Sequence, residues 1–184
     1  MAFFSGTERR VDLARVNGRV FVNNASMGLY GKIVQSRQYH DAKLRTVIEN
    51  LPDFIGPGAE PYDLRFDDPD GFPCTGAQVL LVSNNRYEID PLGTQGTRGG
   101  LDRGTLGVVV GQIAPLLQGW KEWTTPTFRV DSGSAILVGL DGEAVSLDPP
   151  LLFETLPKAL RIRVAVRRRA LERRRDNALP ATRA

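Results

Sequence analysis

Glu143 is the residue of this sequence with the clearest potential for chemistry. It follows the dipeptide Asp141-Gly142, which separates two strand-like stretches, residues 135–138 and 145–147. Because glycine adopts positive φ at no steric cost, Asp-Gly between such stretches predicts the tight turn of a β-hairpin. A carboxylate held directly after that turn can act as a general base towards a substrate hydroxyl. On this stretch alone, the simpler interpretation is favoured: an ordinary turn beside a solvated glutamate.

Three other clusters of small or polar residues follow or precede strand-like stretches. They are Asn23-Asn24-Ala-Ser26, Ser83-Asn84-Asn85 and the glycine-rich segment Gly96 to Gly104. Amide and hydroxyl side chains at such positions can cap local structure or line a site, and capping is the simpler explanation. Polar clusters at turns are common in β proteins, so each cluster is weak evidence by itself.

The elements that must position these clusters are mostly strands. Residues 77–82 form a predominantly apolar run, which is typical of a strand covered on both faces. Leu160, Ile162, Val164 and Val166 alternate with Arg161 and Arg163, so one face of that strand should be buried. Short turns without a βαβ rhythm predict a mainly β (α+β) fold, an antiparallel β-sandwich. Asn17-Gly18 predicts a further hairpin.

Helices are predicted at two places in this β fold. Helical spacing of apolar residues predicts a helical insertion near the N-terminus, over about residues 28–36 and 40–51. Residues 170–177 predict a short basic helix. We therefore divide the chain into a β-sandwich domain, 1–166, and a basic helical or disordered tail, 167–184. Residues 115–125, which hold both tryptophans, are interpreted as a connection or short helix.

The composition excludes several classes of protein. Cys74 and His40 are the single cysteine and the single histidine, so an internal disulfide is impossible and a zinc enzyme is not expected. No apolar run approaches the roughly 20 residues of a membrane span. We expect a cytoplasmic protein.

The charge is concentrated at the C-terminal end. The net charge is +3, but residues 158–184 contain ten basic and two acidic residues. This end could meet an anionic membrane surface or nucleic acid, or it could be a solvated tail. Aromatic residues are not interleaved with the arginines, so stacking on nucleic-acid bases is not expected.

The polar clusters, taken as a set, resemble the C-terminal domain of the diacylglycerol kinase-like lipid kinases. The resemblance extends over about residues 10–166, and its order and spacing are specific where single motifs are not. It rests on Asn17-Gly-Arg-Val-Phe-Val-Asn-Asn-Ala-Ser-Met-Gly-Leu-Tyr30, Val82-Ser-Asn-Asn-Arg-Tyr87, Gly96-Thr-Arg-Gly-Gly-Leu-Asp-Arg-Gly-Thr-Leu-Gly-Val108, Asp141-Gly-Glu143 and Leu156-Pro-Lys-Ala-Leu-Arg-Ile162.

The resemblance implies an ATP-dependent kinase that phosphorylates a lipid hydroxyl such as that of diacylglycerol, with Mg2+. It implies a β-sandwich that meets an N-terminal ATP-binding domain at the active-site cleft. Glu143 then takes the role of proton acceptor, which agrees with the chemistry of phosphoryl transfer. Asp141, Gly142, Asn24 and Asn85 are the expected neighbours of the bound cofactor.

The family's structural Mg2+, bound by two main-chain oxygens and one acid, falls by the same resemblance on Gly100, Arg103 and Thr105. Arg103 stands at the position of the expected acid, and a guanidinium cannot ligate a cation. The carboxylate of Asp102 could substitute only with a shift of the backbone.

Nothing in this sequence resembles the glycine-rich ATP-binding segment of the family. We therefore expect a lipid-binding, base-supplying portion that is inactive without a nucleotide-binding domain, as a fragment, a split protein or a relic. ATP and Mg2+ belong to the complete enzyme, and none is assigned to this chain alone. The alternative is a non-catalytic module that binds lipid or an anionic surface through its arginine-rich end.

Overall fold

Two antiparallel β-sheets make up most of the structure. A computed structural model describes residues 6–29, 62–89, 96–97, 99–114 and 117–165. The strands in these residues are β1 Thr7–Val16, β2 Arg19–Phe21, β3 Asn24–Gly28, β4 Phe66–Asp67, β5 Pro73–Cys74, β6 Val79–Asn84, β7 Glu88–Ile89, β8 Gly96–Thr97, β9 Leu106–Ala114, β10 Leu117–Thr125, β11 Thr127–Val130, β12 Ile136–Leu140, β13 Glu143–Leu147 and β14 Leu151–Val164.

The smaller main sheet has the strand order β11-β14-β1-β2, and the larger has the order β10-β9-β6-β3-β12-β13. Two short pairs, β4-β5 and β7-β8, accompany them. Every pair of neighbouring strands in these sheets is antiparallel. The prediction of an antiparallel, mainly β fold is therefore confirmed.

Both main sheets contribute to one hydrophobic core. The smaller sheet supplies Phe21 and Phe153, which are 1% exposed, and the larger supplies Met27 and Leu80, which are fully buried. All six residues of β6 are buried, as expected for a strand covered on both faces. Burial of such side chains contributes roughly 1.5–3 kcal/mol each, so this shared core holds the two sheets together.

Two hairpins form where the sequence predicts them. Asn17 and Gly18, with φ of 46° and 80°, connect β1 to β2. Asp141 and Gly142, with φ of 50° and 94°, connect β12 to β13. Positive φ at both central residues matches the right-handed twist of the strands that such turns join.

Other predictions differ from the structure or lie outside it. Residues 115–125 were expected to be a connection or short helix, but Leu117–Thr125 is strand β10, paired along its length with β9. Gly28, the predicted first residue of the helical insertion, is the last residue of β3. Residues 30–61 and 166–184, which include the rest of that insertion and the basic tail, lie outside the described residues.

The last strand is longer than the alternating pattern indicated. β14 begins at Leu151, and residues 160–164 are its final part. In that part Arg161 and Arg163 are exposed, while Leu160, Ile162 and Val164 are partly buried. The predicted alternation is confirmed, but the apolar face is only partly covered. None of the described residues belongs to a helix long and apolar enough to cross a membrane.

Candidate functional site

Glu143 stands at the outer end of a row of paired residues that crosses five strands. The row runs Val108, Val82, Ala25, Leu140, Glu143. Directly paired residues of neighbouring strands lie on the same face of a sheet. Because the first three are fully buried core residues, Glu143 lies on the core-facing side of the larger sheet. It is exposed, so its carboxylate lies where that face meets solvent.

The carboxylate of Asp141 fixes the turn that precedes Glu143. Its Oδ2 accepts the main-chain N–H of Val22 at 2.7 Å, and its Oδ1 accepts those of Asn23 and Asn24 at 2.7 and 3.1 Å. The N–H of Asp141 in turn donates to the carbonyl of Asn24 at 2.9 Å. These bonds join the β12–β13 hairpin to the start of β3 and limit the positions open to Glu143.

The asparagines at the start of β3 are bonded to Tyr87. The Tyr87 hydroxyl donates to Asn23 Oδ1 at 2.6 Å, and Asn24 Nδ2 donates to the Tyr87 oxygen at 3.3 Å. Asn24 is 8% exposed. Tyr87 was not among the residues assigned from the sequence, and its position shows that the segment after β6 closes against the start of β3.

Asn84 and Asn85, at the end of β6, are buried structural residues. Asn84 Nδ2 donates to the carbonyls of Asp12 and Val22 at 2.9 and 3.1 Å. Asn85 Nδ2 donates to Asn84 Oδ1 at 3.2 Å, and Asn85 is fully buried. In this position the Asn85 amide supports the chain around it, since its Oδ1 also accepts the N–H of Arg103 at 3.0 Å. A nucleotide contact for Asn24 or Asn85 stays a prediction.

Sequence analysis missed Asp12, which is 1% exposed. Its Oδ1 accepts the N–H of Lys158 and its Oδ2 that of Gly104, each at 2.7 Å. A buried charge is costly unless it is hydrogen-bonded, and main-chain N–H groups meet that need here. The available signal was an acid within the otherwise apolar stretch Val11-Asp12-Leu13-Ala14.

The residues assigned to Mg2+ are a poor match to the donors that this ion takes. Thr105 already accepts the Asn85 N–H with its carbonyl, at 3.0 Å. Arg103 carries a positive charge, and its Nε would lie 3.0 Å from a β-carbon placed on Gly100. Asp102 is exposed. Divalent Mg2+ prefers carboxylate and water oxygens in near-octahedral geometry. The donors at this loop thus fit Mg2+ poorly, and Mg2+ binding by Gly100, Asp102 and Thr105 stays a prediction.

The structure brings Asn24, Asp141, Gly142 and Glu143 together at one end of the larger sheet. The loop of residues 99–105 precedes β9, which lies three strands away from β12. Within the described residues, no cluster of three or more histidine, cysteine or acidic side chains could hold a metal ion. The chemistry that this end offers is that of a single exposed carboxylate on a fixed hairpin.

A cavity of about 840 Å3 lies elsewhere in the molecule. Phe66, Trp123 and Phe128 line it between β4, β10 and β11, and Glu143 is not part of its wall. Since β10 and β13 are the two outer strands of a six-stranded sheet, they are about 24 Å apart at the usual strand spacing. The cavity and the hairpin are therefore separate features.

Solved structures show where this arrangement of strands recurs. Two structures of a diacylglycerol kinase from Bacillus anthracis str. Sterne, both titled putative, match with a TM-score of 0.59 and identities of 19% and 18%, over 84% of this chain and 57% of theirs. A third, titled a diacylglycerol kinase from the same organism, matches with a TM-score of 0.57 and 19% identity, over 84% and 56%. No family model matches the sequence.

The chain thus spans little more than half of these structural relatives. Identities below one in five are informative about the fold alone. The resemblance that the sequence motifs indicate is confirmed at that level, and the chain has the fold that makes up the matched part of these diacylglycerol kinases.

Proposed function

We propose that this chain is the lipid-binding, base-supplying portion of an ATP-dependent lipid kinase, with Glu143 as the proton acceptor. The proposal rests chiefly on the position of Glu143. Its carboxylate is exposed at the outer end of a row of core residues, on a hairpin that Asp141 fixes. The match in fold to diacylglycerol kinases supports the same assignment.

The proposed step is the transfer of the γ-phosphoryl group of ATP to a lipid hydroxyl. Glu143 accepts the proton of that hydroxyl as its oxygen bonds to phosphorus and ADP leaves. Mg2+, bound with the nucleotide, would neutralise phosphate charge. Asp141 would position Glu143 rather than react, because both its oxygens already accept main-chain N–H groups.

The nucleotide site belongs, in this proposal, to a separate nucleotide-binding domain. More than two-fifths of each structural relative has no counterpart in the match. The chain by itself should therefore transfer no phosphate from ATP. Activity should require a nucleotide-binding portion, joined to this chain or supplied with it.

A fusion protein provides the test. Residues 6–165 replace the matched part of one of the Bacillus anthracis proteins, and transfer of 32P from labelled ATP to diacylglycerol in mixed micelles is measured. We expect transfer that falls at least about 100-fold in Glu143→Gln, since general base catalysis typically contributes 10²–10⁴-fold. Glu8→Gln is the matched control, because Glu8 is exposed and only weakly paired with Arg161, at 3.9 Å.

Transfer that survives Glu143→Gln would contradict the assignment of the base. The alternative of a non-catalytic binding module predicts another outcome: flotation of the full chain with anionic vesicles, lost on removal of residues 167–175, and no transfer in the fusion.

A further inference from the structure

All four polar atoms of Asp12 form hydrogen bonds: its main-chain N–H and carbonyl and both carboxylate oxygens. Besides the two carboxylate contacts to Gly104 and Lys158, its N–H donates to the carbonyl of Leu101 at 2.7 Å. Its carbonyl accepts Asn84 Nδ2 at 2.9 Å. One buried residue of β1 thus joins the loop before β9, the end of β6 and the middle of β14.

Asn85 holds the same loop from its other side. Its Oδ1 accepts the N–H of Arg103 at 3.0 Å, and its N–H donates to the carbonyl of Thr105 at 3.0 Å. Together with Asp12, it engages main-chain groups of Leu101, Arg103, Gly104 and Thr105. A loop with this many buried main-chain partners has little freedom to rearrange.

The opposing strand is shaped around the Asp12 carboxylate. Val11 pairs with Leu160 and Leu13 with Leu156, so Asp12 faces three residues of β14. Lys158, the middle one of these, has a φ of 54°. This bulge turns the N–H of Lys158 towards Asp12 Oδ1. The carboxylate is therefore an acceptor around which two separate segments are arranged.

We infer that Asp12, with Asn85, positions residues 99–105 without a metal ion. The pair takes the structural role that the sequence resemblance gave to Mg2+. Arg103 agrees with this assignment, because its Nε and Cδ lie over Gly100, within 3.6 Å of a β-carbon placed there. That places a positive charge beside the main chain that was expected to bind the cation. The inference does not depend on the proposed kinase function.

Thermal unfolding of the full chain in 5 mM MgCl2 and in EDTA tests this inference. We expect the same midpoint in both for the native protein. Asp12→Asn should lower the midpoint by roughly 5–10 °C in both, because the amide can accept only one of the two N–H groups and turns a donor towards the other. Asp102→Asn removes the exposed acid of the loop and should change neither midpoint.

Amide hydrogen exchange separates positioning of the loop from general stability. In the native protein, the N–H groups of Gly104, Arg103 and Lys158 should exchange slowly, at the same rate with Mg2+ and with EDTA. This measurement needs no variant, so it is informative even where Asp12→Asn does not fold. A midpoint that rises with Mg2+ and depends on Asp102, or protection of Gly104 that is lost in EDTA, would overturn the inference.

Discussion

Asp141 and Asn23 are joined by a 2.7 Å hydrogen bond from the Asn23 N–H to the Asp141 carboxylate. This bond links the turn before Glu143 to the chain that enters β3, although the two residues are 118 positions apart in sequence. Two neighbouring acids therefore have different surroundings. Asp141 uses its oxygens on the protein main chain, while Glu143, two residues later, is exposed. In the proposed function, only the second meets the substrate.

Replacement of Asp141 should destabilise the protein without a change of fold. Asp141→Ala removes an acceptor of three main-chain N–H groups and a residue suited to its φ of 50°. We expect a loss of about 1–3 kcal/mol in the free energy of unfolding, measured by urea denaturation. Asp141→Asn tolerates the same φ and keeps one acceptor, so its loss should be smaller. A loss in Asp141→Ala with none in Asp141→Asn would show that the turn conformation, and not the hydrogen bonds, matters.

Gly107, at the second position of β9, should not tolerate a side chain. A β-carbon there would lie 2.7 Å from Ser83 Oγ, 2.8 Å from Arg86 Cα and 3.2 Å from the Asn85 carbonyl oxygen. Two of these atoms are main chain, so relief requires movement of the segment after β6. We expect Gly107→Ala to cost about 1–3 kcal/mol in unfolding free energy.

Gly133→Ala is the matched control for Gly107. A β-carbon on Gly133 would meet only Asp63 Oδ2, at 3.1 Å. That atom accepts the N–H of Gly133 at 2.6 Å, but it is the end of an exposed side chain, so it can shift by a few tenths of an ångström without loss of the bond. The thermal midpoint of this variant should lie within about 2 °C of the native value. A larger fall than in Gly107→Ala would refute the steric argument.

The sequence predicted those parts of the fold that depend on neighbouring residues. Asn17-Gly18 and Asp141-Gly142 form their turns because the required positive φ is a property of the dipeptides themselves. The buried strand β6 was likewise evident from its run of apolar residues. The same local reasoning placed Glu143 directly after a turn.

Features that depend on distant partners could not be predicted in this way. Trp123 and its neighbours form a strand because they pair with β9, and a short polar and aromatic segment gives no clear period without that partner. The early start of β14 was hidden by Pro157 and Lys158, which lie in the bulge opposite Asp12. The role of Asp12 depends on its hydrogen bonds to Gly104 and Lys158, which lie 92 and 146 positions further along the chain.

Asn17 should contribute to stability beyond the turn that it forms. Its Nδ2 donates to the carbonyls of Asp148 and Pro150, each at 3.1 Å, and its Oδ1 accepts the N–H of Leu152 at 2.8 Å. Asn17→Gly keeps the positive φ and loses these bonds, so we expect about 1–2 kcal/mol of destabilisation. Asn17→Ala should cost about 1 kcal/mol more, because alanine is strained at positive φ. Chemical denaturation of both variants separates the contribution of the side-chain hydrogen bonds from that of the positive φ.

The ion pair of Lys121 and Asp68 should make stability depend on pH at both extremes. Lys121 Nζ lies 2.5 Å from Asp68 Oδ2 and ties the turn after β4 to β10. The hydrogen bond from Lys121, followed by that from the Phe72 N–H, lowers the pKa of Asp68 below its usual 3.8. The hydrogen bond to Asp68 raises the pKa of Lys121 above its usual 10.5.

The signs of these shifts fix the pH range in which the pair stabilises the fold. A lowered acid pKa contributes stability above 3.8 that is lost as the pH falls through the folded-state value. A raised lysine pKa contributes stability below 10.5 that is lost as the pH rises through its folded-state value. The native protein should therefore exceed Lys121→Gln in unfolding free energy by a near-constant amount between these limits. Urea denaturation across pH measures that difference, which should shrink in stronger acid and in stronger base. A difference that is independent of pH would show that Lys121 acts only through the packing of its side chain.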